Sequence, residues 1–401
     1  MKIICPLTSG LCEPIIANRS PCQMLMRFAF VLLVVPLSAV SAPLVNAQAS
    51  QNSSNAPVQE RLNRVRADLF SATPHFTDDV AALKGVLADD PKSVEAHVLL
   101  GLAYRGLGTQ EMLAEAIAEL RQAIEIDPGL APARFYLAHI YLDMGRPPRA
   151  KEELEAALEK APGNPQFLAS LGETERRLKN PRKAVEILRQ ALQADPSLLE
   201  GRYYLGLALF DLGQTTDAMK ELEQVVNANA GKPEAYLALG TVYNQAGRFD
   251  DAMKVLSQGT KLDPSRADLR IQLARAYRSK GLLERAEAEL IRAQPKPNAS
   301  LAASYVEHQQ LEFDLYLELG LVKMKRGQLA AAADALRKAL AADPAHGLAN
   351  NAIAQVYLRQ GQFKLASEHA ARAAKGGAPL SESDRKLIDA GLAGKKPGVR
   401  E

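Results

Sequence analysis

The chain has 401 residues, of which 47% are apolar and only 5% aromatic, and it contains no Trp. This composition is typical of an Ala- and Leu-rich helical protein and argues against a β-sandwich. The formal net charge of +3 gives no reason to expect nucleic acid as a partner.

The first 47 residues contain the parts of a secretory signal peptide. A short basic lead ends at Arg27, the apolar run Phe28 to Val35 follows, and small residues end the segment at Val45-Asn46-Ala47. This order is typical of an exported chain that is cleaved after the small residues. The residues before Met24 fit such a signal poorly, which suggests an upstream start codon that is not used. We therefore expect residues 1–47 to be removed and the mature chain to be exported, to the bacterial periplasm.

The alternative is an uncleaved membrane anchor, since Phe28 to Val45 spans 18 residues. Pro36 and Pro43 within so short a stretch disfavour a stable span. The three cysteines, at positions 5, 12 and 22, precede the apolar run, so the mature chain would contain none. Disulfides, thiol catalysis and Cys-bound metal are then excluded. We interpret residues 48–56 as a flexible linker.

From residue 90 on, the sequence repeats itself. Pro128, Pro162 and Pro196 are spaced 34 residues apart, and Pro264 follows after twice that distance. Within each unit, Gly occupies a small-residue position at Gly172, Gly206, Gly240 and Gly320. Ala returns in the second half of each unit at Ala150, Ala184, Ala218, Ala252, Ala286, Ala332 and Ala366.

These positions have a physical explanation in paired helices. Small residues let two antiparallel helices approach closely, a Gly near each unit's middle ends the first helix, and Pro stops the second. One such pair cannot cover its own apolar face, whereas stacked pairs can. The repeat therefore predicts a solenoid of helix pairs.

The pattern closely resembles that of the tetratricopeptide repeat family, with small-x-x-Tyr in the first helix, Ala in the second and a terminal Pro. The resemblance implies an all-α, right-handed superhelical solenoid of stacked antiparallel helix pairs. Residues 94–380 then form eight units, preceded by a degenerate leading repeat at 57–91 and followed by a capping helix at 381–392 and a tail at 393–401. The eight units span residues 94–130, 131–164, 165–198, 199–232, 233–266, 267–312, 313–346 and 347–380.

The sequence departs from the family pattern in two ways. The Trp that is frequent early in the family's first helix is replaced by Arg134, Leu168, Arg202, Tyr236, Arg270, Tyr316 and Asn350. The sixth unit has 12 extra residues, which we place at 301–312. No Pro interrupts residues 301–325, so we expect one continuous helix from about residue 300 to 326. Its extra length either forms a contact surface or folds back over the gap between the sixth and seventh units.

In the family, the concave wall is built from first-helix positions that point away from the second helix. The resemblance implies a groove here with apolar patches between two arginine clusters. Its alternative is that the aromatic side chains simply pack against the next repeat. The positions are Phe135, His139, Leu142, Glu173, Arg176, Arg177, Tyr203, Leu207, Phe210, Leu237, Thr241, Asn244, Ile271, Arg275, Arg278, Leu317, Leu321 and Met324.

We find no catalytic constellation in the sequence. The six His residues lie in different units with no His-Glu-x-x-His pairing, and we expect neither cofactor nor metal.

We therefore predict a non-catalytic scaffold of the bacterial cell envelope that binds proteins or peptide segments of an envelope assembly, with no nucleic-acid partner and with membrane contact only through the signal peptide or partners. Two alternatives remain open. One is an enzyme subunit with a site at residues 295–325, using Glu307, His308, Glu312 and Asp314. The other is a structural homo-oligomer.

Overall fold

The computed structural model describes residues 56–71, 73–228, 231–295 and 305–394. These residues form nineteen α-helices and no strand. None of the described helices combines the length and apolarity that a membrane span requires. The predicted signal peptide, most of the predicted linker and residues 395–401 of the tail lie outside the described residues. The described residues fall into two compact units, one before residue 229 and one from residue 231 on.

The first unit contains ten helices. Their bounds are α1 Ala56–Leu69, α2 Phe76–Asp89, α3 Val94–Leu107, α4 Gln110–Ile126, α5 Ala131–Asp143, α6 Pro147–Lys160, α7 Pro165–Arg177, α8 Pro181–Ala194, α9 Leu199–Asp211 and α10 Thr215–Asn227.

The second unit contains the other nine. Their bounds are α11 Pro233–Gln245, α12 Phe249–Leu262, α13 Ala267–Ser279, α14 Leu283–Arg292, α15 Tyr305–Lys325, α16 Leu329–Ala342, α17 Gly347–Arg359, α18 Phe363–Lys375 and α19 Glu382–Leu392. Ser381 caps α19, since its hydroxyl accepts a hydrogen bond from the backbone N–H of Asp384 at 3.1 Å.

Successive helices pair through the small residues that the sequence singled out. A Cβ atom added at Gly206 of α9 would lie 2.6 Å from the Cγ of Leu222 in α10, and one at Gly240 of α11 would lie 2.3 Å from the Cγ of Leu256 in α12. Neither leucine can yield easily, because both are fully buried. Close approach of the two helices therefore depends on these glycines, as the sequence predicted.

Most first helices end at a glycine in the left-handed conformation. The φ angle is 68° at Gly145, 75° at Gly213 and 73° at Gly247. In the third repeat this place is taken by Lys179, with φ 67°, which is the one non-glycine residue of positive φ among the residues described. Such a conformation is unfavourable for a side chain other than Gly, Asn or Asp.

A polar brace takes the place of the Trp that this chain lacks. In the fourth repeat, Arg202 of α9 donates to Glu221 of α10 at 3.0 Å and to the carbonyl oxygen of Pro196 at 2.7 Å. The brace thus joins the two helices and the turn before them. Equivalent pairs are His97–Glu119, Arg134–Glu153, Arg270–Glu289 and Asn350–His369. The missing Trp is evident from the sequence, but the partner was not predicted; it lies 19 residues further on in four of these pairs and 22 residues further on in His97–Glu119.

Helix α15 is longer than the other first helices of the second unit. It has 21 residues, whereas α13 has 13, and it continues unbroken to Lys325. The predicted continuity is confirmed for residues 305–325, and residues 300–304 lie outside the description. Phe313 and Leu317 join the core with α16 and α17, whereas Leu315 and Leu319 join the core with α13 and α14. The helix therefore links two parts of the second unit.

Candidate partner-binding face of the first helices

Most of the predicted groove residues are buried. We call the predicted positions together the first-helix face. Its partly exposed members are Arg177, Tyr203, Asn244, Arg275 and Leu321. Its buried members are Phe135, His139, Leu142, Glu173, Arg176, Leu207, Phe210, Leu237, Thr241, Ile271, Arg278, Leu317 and Met324. Only the first group is available for contact without a rearrangement.

The buried aromatic group of the first unit packs between neighbouring repeats. Phe135 of α5 stacks on Phe167 of α7 with 5.0 Å between ring centroids, and His139 lies at the edge of Phe135 at 4.5 Å. The Nε2 atom of His139 lies 3.0 Å from the hydroxyl of Ser170. Phe135 thus packs against the adjacent repeat, which is the alternative that the sequence left open.

The environment of His139 disfavours its protonation. Burial lowers the pKa of His139 well below its ordinary value, and the positive charges of Arg105 and Arg177 lower this pKa further. The imidazole is therefore neutral at neutral pH.

The first arginine cluster is neutralised within the protein. Arg176 donates from Nε and Nη2 to Glu173 at 2.7 and 2.9 Å, and from Nη1 to Asp211 of α9 at 3.1 Å. Arg177 donates to Glu173 at 2.7 Å and to the carbonyl oxygen of Leu142 at 3.1 Å. Burial alone would raise the pKa of Glu173, but the two arginines lower it. The cluster therefore joins three successive first helices and does not form a free positive patch.

The second arginine cluster is neutralised in the same way. Arg275 and Arg278 of α13 donate to the two carboxylate oxygens of Glu318 in α15, at 2.7 and 2.8 Å. Burial opposes ionisation of Glu318, yet the two arginines lower its pKa to about 2. Glu318 was not among the residues predicted from the sequence. The sequence did contain a signal for Glu318, since Asp314 and Glu318 lie four residues, or about one helical turn, apart on the long helix α15.

Asp314 is a buried carboxylate whose hydrogen bonding is incomplete. It is 7% exposed, and its Oδ2 accepts a long hydrogen bond of 3.4 Å from Gln310. Its buried Oδ1 has no partner in the part of the chain that the structure describes. Burial raises the pKa of Asp314 to about 6, against the opposing effect of Arg275. Buried polar atoms without a partner are uncommon in folded proteins.

Asn244 of α11, a member of the first-helix face, is a second residue whose hydrogen bonding is incomplete. Its Nδ2 donates to the carbonyl oxygen of Gln272 in α13 at 2.9 Å. Its side-chain oxygen Oδ1 is buried and, within the described residues, accepts no hydrogen bond. Asn244, a member of the first-helix face, and Asp314 of α15, which is not one of the predicted positions, therefore each have a buried acceptor without a partner within the described residues of the second unit.

The described residues contain no group of three His, Cys, Asp or Glu placed to hold a metal ion. Of the four residues that the enzyme alternative would use, Glu312 is exposed and Asp314 is buried. The side chains of Glu307 and His308 lie outside the description. The candidate site consists of hydrogen-bond acceptors, ion pairs and apolar side chains on stacked helices.

Stacked helix-turn-helix units, small residues at each helix crossing and a polar and apolar face on the first helices define an all-α helical-repeat solenoid of the protein-interaction class. Sequence models described as tetratricopeptide repeat match residues 109–173, 176–242, 209–264 and 243–304, and a second such model matches residues 67–131 and 317–381. The chain belongs to the tetratricopeptide repeat family.

Solved structures support the same fold. The chain is similar to a chain of the anaphase-promoting complex heterotetramer Cut9–Hcn1, with 16% identity, a TM-score of 0.60 and coverage of 86% of this chain. It spans 65% of the length of that relative. It is also similar to the human IFIT1 dimer with PPP-AAAA, with 19% identity, a TM-score of 0.53, and coverage of 80% of this chain and 73% of that one. At such identities the likeness shows the fold alone. No curated protein matches the chain.

Proposed function

We propose that the chain is a non-catalytic scaffold that binds segments of partner proteins along the first-helix face. The observation that carries this proposal is the pair of buried acceptors, Asn244 Oδ1 and Asp314 Oδ1, that lack donors within the described residues. An unsatisfied buried acceptor costs about 1–3 kcal/mol. A local rearrangement of the face that lets an N–H group of a bound segment donate to either buried atom removes this cost.

The partly exposed members of the face fit a partner segment of mixed character. In the second unit, Asn244 and Arg275 supply polar groups, and Leu321 supplies apolar surface. In the first unit, Tyr203 presents a partly exposed aromatic ring. Aromatic and arginine side chains contribute most of the binding energy at many protein interfaces.

The proposed location is the bacterial cell envelope, where the partners would be proteins of an envelope assembly. This part of the proposal rests on the basic lead, apolar run and small-residue end within residues 24–47, and on the confinement of all cysteines to residues 5–22. N-terminal sequencing of the protein from its native cells tests it. We expect a new N-terminus near Gln48, and an intact N-terminus at Met1, Met24 or Met26 would rule out cleavage.

Site-specific photo-crosslinking in native cells tests the binding face. A photoreactive phenylalanine analogue is placed at Tyr203 or Asn244 of the first-helix face. Matched controls carry it at Gln190 of α8 or Lys254 of α12, both exposed on second helices. We expect partner adducts from the first two positions and not from the controls. Equal adducts at all four positions, or adducts only at the controls, would place the contact elsewhere.

A further inference from the structure

Two neighbouring turns of the first unit have an excess of positive charge. No acidic residue occurs in residues 144–151, around the α5–α6 turn, or in residues 176–185, around the α7–α8 turn. In later repeats, the residues that correspond to 144–151 are 212–219 and 246–253, and they contain one and two acidic residues, respectively. We call the cationic residues of the two turns the basic edge: Arg146, Arg149, Lys151, Lys179, Arg182 and Lys183.

The two turns lie side by side, because one carboxylate oxygen binds a lysine from each. Oε1 of Glu175 lies 3.0 Å from Nζ of Lys151 and 2.7 Å from Nζ of Lys183. The Glu175 side chain is 0% exposed, whereas those of Lys151 and Lys183 are 30% and 49% exposed. The single buried negative charge of Glu175 cannot neutralise both partly exposed lysines. The surface of the basic edge therefore remains positive.

The other cations of the edge add to this charge. Arg146, Arg149, Lys179 and Arg182 are exposed. Arg149 lies over the ring of Tyr141, at 5.8 Å from the ring centroid. Among the described residues, no carboxylate lies within salt-bridge distance of Arg146, Lys179 or Arg182. Their charge therefore faces the solvent.

Lys179 occupies a place that glycine fills in other repeats. Its φ of 67° is close to the 68° of Gly145 and the 75° of Gly213. A lysine in this left-handed conformation is less favourable than a glycine. The chain thus has a cation at an unfavourable backbone position, in the middle of its basic edge. Unfavourable backbone conformations of this kind are concentrated at functional sites.

The width of the edge indicates the class of partner. Exposed Glu152 and Glu155 of α6 and Glu186 of α8 border the cations, so the positive surface is a strip that covers two turns. A nucleic acid or an anionic bilayer would extend over these glutamates and be repelled by them. A short peptide segment can follow the strip alone.

We propose that the basic edge binds an acidic segment of a partner protein, through ion pairs between its Asp or Glu side chains and the cations of the two turns. This surface is separate from the first-helix face. Electrostatic attraction of this kind increases the association rate and depends strongly on salt.

The test measures fluorescence anisotropy of a labelled twelve-residue peptide of alternating Glu and Gly, titrated with the full chain in 50 mM NaCl. The same peptide with Gln in place of Glu is the neutral control. We expect a dissociation constant below about 100 μM for the acidic peptide, a weaker affinity as salt increases, and no binding of the neutral peptide. The triple variant Arg146→Gln, Lys179→Gly, Arg182→Gln should bind at least about tenfold more weakly, in line with three lost surface ion pairs.

Two further variants separate lost binding from lost folding. Lys364→Gln changes a cation at the position in the eighth repeat that corresponds to Arg182, and should leave binding unchanged. Lys179→Gly alone should weaken binding while it keeps or raises the melting temperature, because glycine suits the left-handed conformation.

Three results would overturn the proposal. The first is no binding of the acidic peptide in 50 mM NaCl, and the second is equal affinity of the triple variant and the natural chain. The third is tighter binding to a twelve-nucleotide single-stranded DNA, or to phosphatidylserine vesicles, than to the peptide, since this would assign the edge to a different class of partner.

Discussion

Arg270 and Glu289, 19 residues apart in the sequence, form an ion pair with 2.6 Å between Nη1 and Oε2 that joins the two helices of the sixth repeat. Arg270 also donates from Nη2 to the carbonyl oxygen of Pro264 at 2.8 Å. Both side chains are mostly buried, at 14% and 12% exposure. The pair therefore joins the two helices at the position where the family frequently has Trp.

We expect Arg270→Ala to lower the free energy of unfolding by about 1.5–3 kcal/mol, because hydrogen bonds to charged groups contribute this much. Arg270→Lys should recover only part of the loss, since an ammonium group cannot reproduce the planar guanidinium geometry. Urea unfolding of the purified variants measures both effects. Arg285→Ala, an exposed change on α14, is the control and should stay within about 0.5 kcal/mol. Equal effects of Arg270→Ala and Arg285→Ala would show that the brace does not stabilise the folded chain.

The small residues at the helix crossings lead to a second prediction. Ala218 and Ala252 are fully buried, and Ala218→Leu or Ala252→Leu should destabilise by roughly 1–3 kcal/mol because of overpacking. The exposed change Lys254→Leu on the same helix as Ala252 should stay within about 0.5 kcal/mol. Urea unfolding of the purified variants measures these changes in the free energy of unfolding. Similar effects at buried and exposed positions would contradict the assignment of the repeat positions.

His139 leads to a prediction of pH dependence. Its pKa in the folded chain lies well below the ordinary value of 6.5, so the unfolded chain binds the proton more readily. The contribution of neutral His139 to the stability of the folded chain is therefore fully present above about pH 6.5, and it decreases as the pH falls below this value. In His139→Gln this contribution disappears. Urea midpoints from pH 7.5 to 5 should fall more steeply for the natural chain than for the variant, and parallel curves would show that His139 is not the group responsible.

Asp314 leads to a predicted pH dependence of stability that is opposite in sign to that of His139. Burial raises the pKa of this carboxyl to about 6 from an ordinary value of 3.8, so its ionised form destabilises the folded chain above pH 6. As the pH falls from 6 towards 4, protonation removes this cost. We expect Asp314→Asn to stabilise the chain by about 1–3 kcal/mol at pH 8 and to have little effect at pH 4. A stabilisation of the same size at both pH values would contradict the assignment.

The insertion in the sixth repeat provides the fifth prediction. Deletion of residues 301–312 restores the 34-residue period and leaves Phe313 and Leu317 in the core that they form with α16 and α17. We expect the melting temperature to be kept and partner capture to fall, if the insertion forms a contact surface. Unfolding of the C-terminal repeats would instead show that the insertion covers a gap between the sixth and seventh repeats.

The sequence by itself determined the repeat, its helix pairs and their close crossings. These features follow from local rules: a Pro ends one helix, a Gly in the left-handed conformation ends another, and a small residue recurs wherever two helices cross. Gly240 and Leu256 illustrate this, since they are only 16 residues apart and belong to one helix pair. The continuity of α15 over residues 305–325 was likewise predictable, because no Pro interrupts it.

Only the tertiary structure decided which first-helix residues are available to a partner. Within each of the two units, successive first helices pack on one another, which brings together residues one repeat or more apart, such as Arg176 with Asp211, or Arg275 with Glu318 across the insertion. These contacts bury or neutralise side chains that the sequence pattern alone placed on an open groove. Whether a charged side chain faces solvent or a carboxylate 35 or 43 residues away depends on how the repeats stack, and a pattern within one repeat does not contain that information.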